Sequence, residues 1–252
     1  MRQFISISAI CLVLVSGMLV TSCQKDNLEK SEALVKKGDK YASKDNFDRA
    51  IVQYKKAIEL NPENTAALMN LGLLAFNRND NQAAADYFED VIEIEDKEVL
   101  AHYMLGSIFK RQGNLDQALD KFRIASKIDP GFTDAFLGLG LIYYQKENYE
   151  DAAKAFHEVI ALNPYEADGY QLLAASYMKM NKNEEAIEVF ERDLRYNPMN
   201  TYDYFMLGSL YHQLKKDTEA VQSLERFLEF HADSPQALDA QQLMNEIKYG
   251  NL

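Results

Sequence analysis

The chain has 252 residues, 47% of them apolar, and carries 27 basic against 39 acidic residues for a formal net charge of −12. That excess of acid repels nucleic acid and anionic lipid surfaces, and no basic patch interleaved with aromatics offsets it, so a nucleic-acid role is set aside. With 2 cysteines and 4 scattered histidines, neither a disulfide framework nor a cluster at metal-ligand spacing can be drawn.

The segment from Met1 to Cys23 differs from the rest. Met1-Arg2 is a short basic start, Phe4 to Val20 is apolar, and Val20-Thr21-Ser22-Cys23 follows. This arrangement resembles a bacterial lipoprotein signal, which implies cleavage before Cys23 and acylation of that cysteine. An ordinary secretory signal, or a single membrane anchor with a chance cysteine, is the alternative; an apolar run of about 17 residues is borderline for spanning. The expected organisation is a signal peptide at 1–22 and a lipidated Cys23 with a polar tether at 23–30, reaching about 25 Å if extended. Cys11 leaves with the signal, so no free thiol remains. Acyl chains on Cys23 then hold the protein to a membrane. Gln24 after the cysteine lacks the Asp that resembles an inner-membrane retention signal, which favours the outer membrane facing the periplasm. Gln24-Lys25-Asp26 also resembles a surface-export tag, leaving surface display as the other possibility.

From Ser31 to Ser234 the sequence falls into six consecutive blocks of one length, 31–64, 65–98, 99–132, 133–166, 167–200 and 201–234. Gly38, Gly72, Gly106, Gly140, Ala174 and Gly208 form one small-residue column; Ala50, Ala84, Ala118, Ala152, Ala186 and Ala220 form a second, at a constant distance behind the first. A largely apolar column four before the first one (His102 in the third block), Leu one before it in five blocks (Lys37 in the first) and an aromatic three after it in five (Ala75 in the second) give a helix with one buried stripe. A ring or Leu four positions after the second column (Tyr54, Phe88, Phe122, Phe156, Phe190, Leu224) gives a second such helix. Small residues let the two backbones approach, and the rings fill the space between neighbours.

Asn61-Pro62, Asp129-Pro130, Asn163-Pro164 and Asn197-Pro198 end second helices, because the residue before Pro is driven out of the α region. Asn79, Gly113-Asn114, Asn148 and Asn181 occupy the turn inside the block, where Gly or Asn accepts a left-handed conformation. After the sixth block, Ser234-Pro235 begins a last helix with Ala240, Leu243, Met244 and Ile247 on one stripe and Gly250 as its stop. It is expected to cap the array over 235–252. Asp193 breaks the pattern by placing a carboxylate in a packed column, and a wet helix end is the favoured reading over a buried, paired acid.

Leu-Gly, an aromatic, Ala, an aromatic and a late Pro within each block resemble the tetratricopeptide repeat. The resemblance runs from Ser31 to Ser234, most of the chain. It implies an all-α fold: an α-solenoid of six tandem helix-turn-helix repeats plus a C-terminal capping helix. Blocks two and six lack the late Pro, having Asp96 and Ala232 instead, and no block has the Trp of the family pattern.

Nothing catalytic stands out, and no cofactor is implied. Ser107-Ile108-Phe109-Lys110 and Ser176-Tyr177-Met178-Lys179 match S-x-x-K without the other elements of that chemistry. Gly138-Leu139-Gly140 lacks the preceding strand and third Gly of a pyrophosphate loop. The acidic run from Glu89 to Glu98 lacks the Gly-centred loop of a calcium site.

The resemblance implies a concave groove lined by first helices. Positions beside the Gly column, which hairpin packing does not require, are Met69, Leu73 and Phe76; Leu100 and Tyr103; Leu137, Leu141 and Tyr144; Met178; and Tyr202 and Phe205. Met and aromatic surfaces suit apolar anchors of a peptide or helix, although any one of these residues could instead pack on the adjacent repeat. Val35, Met69, Tyr103, Leu137, Gln171 and Phe205 occupy the column where family members that clamp a terminal carboxylate have Lys, so a carboxylate clamp is disfavoured. The reading is a monomeric, membrane-anchored envelope lipoprotein that binds protein partners through an apolar groove and aids assembly or localisation of an envelope complex. The alternative is a binding protein for glycans or another small envelope component. An enzyme is the least supported.

Overall fold

The computed structural model describes the backbone over residues 7–250 and the side chains over 24–250. Among the described residues the structure consists of thirteen helices with turns between them, in two compact units, one ending at Gln112 and the other beginning at Gly113.

The first unit holds α1 (Ile7–Ala42), α2 (Phe47–Leu60), α3 (Thr65–Asn77), α4 (Asn81–Ile94) and α5 (Val99–Arg111), each packed on the next. Cys23 and the signal segment before it lie outside the residues whose side chains are described. Residues 24–30, read from the sequence as a polar tether, are part of α1. The reason is local: Asp26 and Lys30 pair at 2.6 Å and Lys25 and Glu29 at 4.0 Å, both one helical turn apart. Helical geometry shortens the segment to about 10 Å. Gln24, Asn27 and Leu28 line a cleft with Leu60, Asn61 and Pro62 at the end of α2. Further along α1, fully buried Ser31 donates to the Ala57 carbonyl (2.8 Å) and accepts from the Asn64 amide (2.8 Å), whose own oxygen caps α3 at the Ala67 N–H.

The small columns have a direct packing cause. A Cβ built on Gly72 would stand 2.7 Å from the Phe88 ring, and the same ring-under-glycine contact joins Gly38 to Tyr54 in this unit. Ala50, Ala84, Tyr54 and Phe88 are all buried. The column thus stays small because a ring from the following helix lies flat on it, and any larger side chain overpacks the hairpin.

The second unit holds α6 (Leu115–Ile128), α7 (Thr133–Gln145), α8 (Tyr149–Leu162), α9 (Ala167–Lys179), α10 (Asn183–Tyr196), α11 (Asp203–Gln213), α12 (Asp217–His231) and α13 (Pro235–Tyr249), again packed in sequence order. Gly140 under Phe156 and Gly208 under Leu224 repeat the packing of the first unit. Helix α13 covers the end: Ala240 is buried with Leu224 and Phe227, and Leu243, Met244 and Ile247 pack beside them. Pro235 occupies its first turn and Gly250 ends it at φ 73°, but the Ser234 hydroxyl makes no capping hydrogen bond.

Turns inside the hairpins place one residue each in the left-handed region: Asp45, Asn79, Gly113, Glu147, Asn181 and Lys215, with φ from 56° to 82°. Asn79, Gly113 and Asn181 were legible as such. Asn148 is displaced by one position: Glu147 takes the left-handed conformation, and Asn148 caps α8 by accepting from the Asp151 N–H. A side-chain cap at the helix start wins over the intrinsic tolerance of Asn for positive φ.

Candidate protein-binding groove

In the first unit α3 carries Met69, Leu73 and Phe76, and α5 carries Leu100 and Tyr103. All five are half-buried and pack against the core formed by Leu68, Phe88, Leu105 and Ile108. Each therefore divides its surface between the repeat interior and solvent. Phe76 has a further constraint: the Arg111 guanidinium lies 3.8 Å from its ring centroid, held there by the side-chain oxygens of Asn79 (2.9 Å) and Asn81 (3.2 Å). One face of Phe76 is thus covered by a cation, which the residue columns gave no means of seeing.

In the second unit Leu137, Leu141 and Tyr144 on α7 and Met178 on α9 are likewise half-buried against the core. Tyr144 meets the edge of Tyr149 at 5.2 Å. Tyr202 is the most open of the predicted set, 44% exposed, and its ring lies 4.1 Å from His231 and 5.6 Å from Phe227. Phe205 also contacts Phe227, at 5.3 Å. Met178, Tyr202 and Phe205 come together in one groove of about 440 Å³, with Gln171, Ala175, Phe190, Asn200, Asp203, Met206 and Gln236 completing the wall. Leu137, Leu141 and Tyr144 are not part of it. The volume suits a pair of side chains from an extended segment, and the wall is mainly apolar with a few polar groups.

Behind Asn200 and Asp203 of this wall, the structure corrects the reading of Asp193. That residue is fully buried, not at a wet helix end. Its two carboxylate oxygens accept from the side-chain amides of Asn197 and Asn200, both at 2.6 Å, so paired donors replace the lost water. Asp203, 1% exposed, stands against it. Burial first, and then the hydrogen bond to Asp193 and its charge, push the Asp203 carboxyl up to about 8. Asp203 therefore keeps its proton at neutral pH and donates it to Asp193. Beside it the Thr201 hydroxyl and His231 Nε2 share a hydrogen bond of 2.6 Å. Sequence reasoning missed Asp203 although a signal was there: its column holds Ala33, Ala67, Ala101, Ala135 and Gly169 in the other blocks, and a carboxylate stands in that small-residue column only in the sixth.

Residues singled out for possible chemistry take ordinary structural roles. The Ser176 hydroxyl donates to the Leu172 carbonyl at 2.8 Å, an intrahelical bond. His102 Nε2 bonds the Asp96 carbonyl at 2.9 Å. Among the described residues no group of three His, Cys, Asp or Glu is arranged to hold a metal ion. Among them, too, no helix is long and apolar enough to cross a membrane.

Helical hairpins with this column packing and a groove on first helices define a repeat scaffold of the protein-binding type. The tetratricopeptide repeat model matches residues 35–97 and 172–237, together half of the chain, and the chain belongs to that family. A model for the middle TPR-like domain of cilia and flagella-associated protein 70 matches residues 78–195. No curated protein matches significantly in sequence. Among solved structures, MamA is 25% identical with a TM-score of 0.62 over 68% of this chain and 93% of its own. The C-terminal part of a TPR repeat-containing protein from Cytophaga hutchinsonii gives a TM-score of 0.72 at 14% identity, over 88% of this chain and 92% of that one. YrrB, described as a TPR protein with an unusual peptide-binding site, gives 0.64 at 20% identity, over 75% and 97%. The last two likenesses are of fold alone. Proteins of this family serve as protein–protein interaction scaffolds.

Proposed function

We propose that the chain is a bacterial envelope lipoprotein, held by acyl chains on Cys23 to the outer membrane on its periplasmic side, that binds protein segments and helps to assemble or localise an envelope complex. It acts as a monomer. The binding half of this reading rests on one observation above the others: Met178, Tyr202 and Phe205, from successive first-helix segments, meet in an open, largely apolar groove. Half-buried Met and aromatic side chains give such a groove adaptable and rigid anchors together. Met69, Leu73, Phe76, Leu100 and Tyr103 in the first unit, and Leu137, Leu141 and Tyr144 in the second, supply further half-exposed apolar surface on first helices. That YrrB is described as having a peptide-binding site is consistent with it. The anchoring half rests on the sequence from Met1 to Cys23. The helical 24–30 segment would then start the folded chain within about 10 Å of the acylated cysteine.

The test is crosslinking in whole cells followed by mass spectrometry, with the wild type compared with a Met178→Ser, Tyr202→Ser, Phe205→Ser variant and a Cys23→Ala variant. The groove variant is expected to lose its protein adducts while keeping its helical content, and Cys23→Ala to move to the soluble fraction. Unchanged adducts in the first, or membrane retention of the second, would refute the corresponding half.

A further inference from the structure

Two buried oxygens on residues that line the second unit's groove have no hydrogen-bond partner: Oδ2 of Asp203 and Oε1 of Gln236. They come from different elements, α11 and α13, and both residues line the same space. A buried acceptor without a donor is costly to leave unmatched, and the apolar part of the wall includes Met178, Phe190, Phe205 and Met206. These two oxygens are acceptors left unfilled, and apolar surface for a hydrocarbon stem flanks them. The unit around it carries 23 acidic against 13 basic residues from Gly113 onward, a field that draws in cations.

The geometry points to a lysine-recognition subsite: the ammonium of a lysine in an extended segment of a partner protein docks on Asp203 and Gln236, while apolar residues flanking that lysine lie on Met178, Phe190, Phe205 and Met206. This inference rests on the reading that the groove takes protein segments, and it names what the segment must carry. Asp203 gives up its proton to solvent as the ammonium arrives, so the ion pair forms between ligand and Asp203 while Asp193 keeps its bonds to Asn197 and Asn200. The charged and titratable groups facing the pair are Asp193 from α10, where Arg192 lies over the Tyr170 ring at 6.0 Å, and His231 at the end of α12, engaged by Thr201. The groove-lining residues of α9 and α13 are Gln171, Ala175, Met178 and Gln236, which are uncharged. Binding is therefore linked to the state of Asp203: below about 8 the protonated acid must first ionise, which weakens apparent affinity by the fraction ionised.

The experiment is fluorescence anisotropy with the labelled, end-blocked peptide Leu-Phe-Lys-Leu-Phe and its norleucine counterpart, titrated with the full chain. The lysine peptide is expected to bind at least about tenfold more tightly at pH 8, the weight of one charge-assisted hydrogen bond, and to weaken about tenfold between pH 9 and pH 7. Asp203→Asn keeps a donor for Asp193 and should abolish both the preference and the pH dependence. If that variant does not fold, Gln236→Leu, on the covering helix, should reduce the preference on its own. Equal binding of the two peptides, or a preference untouched by either variant, overturns the lysine subsite and leaves the segment-binding reading standing. Binding of neither peptide also overturns it, and the crosslinking comparison with the Met178, Tyr202 and Phe205 variant then decides the broader reading separately.

Discussion

Asp203 retains a proton in the folded chain that it releases on unfolding, and this gives the protein a pH-dependent stability of known sign. Burial and the neighbouring Asp193 carboxylate raise its folded value to about 8, against about 4 for an unperturbed carboxyl. Between those two values the folded state binds one proton more than the unfolded state, so stability falls as pH rises and levels off above about 8. Asparagine in its place stays neutral at every pH and still donates to Asp193. Asp203→Asn is expected to remove this component: the drop in melting temperature between pH 5 and pH 9, followed by circular dichroism, should be smaller in the variant than in the wild type. Equal drops would mean that Asp203 is ionised when folded. The sequence columns held a trace of both acids, since Asp203 stands where the other blocks have Ala33, Ala67, Ala101, Ala135 and Gly169, but not of their pairing. Asp193 stood out as an anomaly, but its satisfaction by Asn197 and Asn200, and its partnership with Asp203, depend on how one irregular turn folds back. A repeat pattern reports what every block shares, and this cluster is what blocks five and six do not share with the rest.

The hairpin turns show the opposite case, in which the periodicity was plain and the chemistry at single positions was not. Left-handed residues recur at the block period, at 45, 79, 113, 147, 181 and 215, and glycine occupies one of them. Asn79, Gly113 and Asn181 announce themselves by residue type; Glu147 and Lys215 carry no such signal, because the surrounding helices impose the conformation on them. A non-glycine side chain there costs about 1–2 kcal/mol of local strain, partly offset by the larger entropy that glycine loses on folding. Both side chains are exposed, so replacing them removes little packing. Glu147→Gly and Lys215→Gly together are therefore expected to stabilise the chain by about 1 kcal/mol, a rise of roughly 2–4 °C in thermal midpoint, measurable by calorimetry. A fall would show that the two turns are held by something other than their own dihedrals. The helix-packing columns, by contrast, were legible at every level, since a ring lying flat on Gly72 or Gly140 admits no larger residue and so writes itself into each block.

At the scale of the chain, a tandem repeat has no central core: every helix is stabilised by its neighbours, and the last one needs a cover. In the second unit that cover is α13, which buries Ala240 fully and lays Leu243, Met244 and Ile247 on Leu224 and Phe227. Four apolar side chains removed from water on that edge contribute roughly 5 kcal/mol, allowing for partial exposure of three of them. Gln236 on the same helix also forms part of the groove wall, so the cover and the candidate site share an element. Ending the chain at Ser234 should therefore lower the thermal midpoint of the unit by about 10–20 °C and increase binding of an apolar dye to the uncovered Phe227 edge. It should also weaken the preference for a lysine peptide even below that midpoint, because one of the two unpartnered oxygens has gone. Replacing Leu243 and Ile247 by Ala separates the effects: the midpoint falls through lost packing while Gln236 keeps its place and the lysine preference survives. If the truncated chain melts where the full one does, the stripe on α13 is not the cover for this end, and the packing energy of the last repeat must come from α11 and α12 alone.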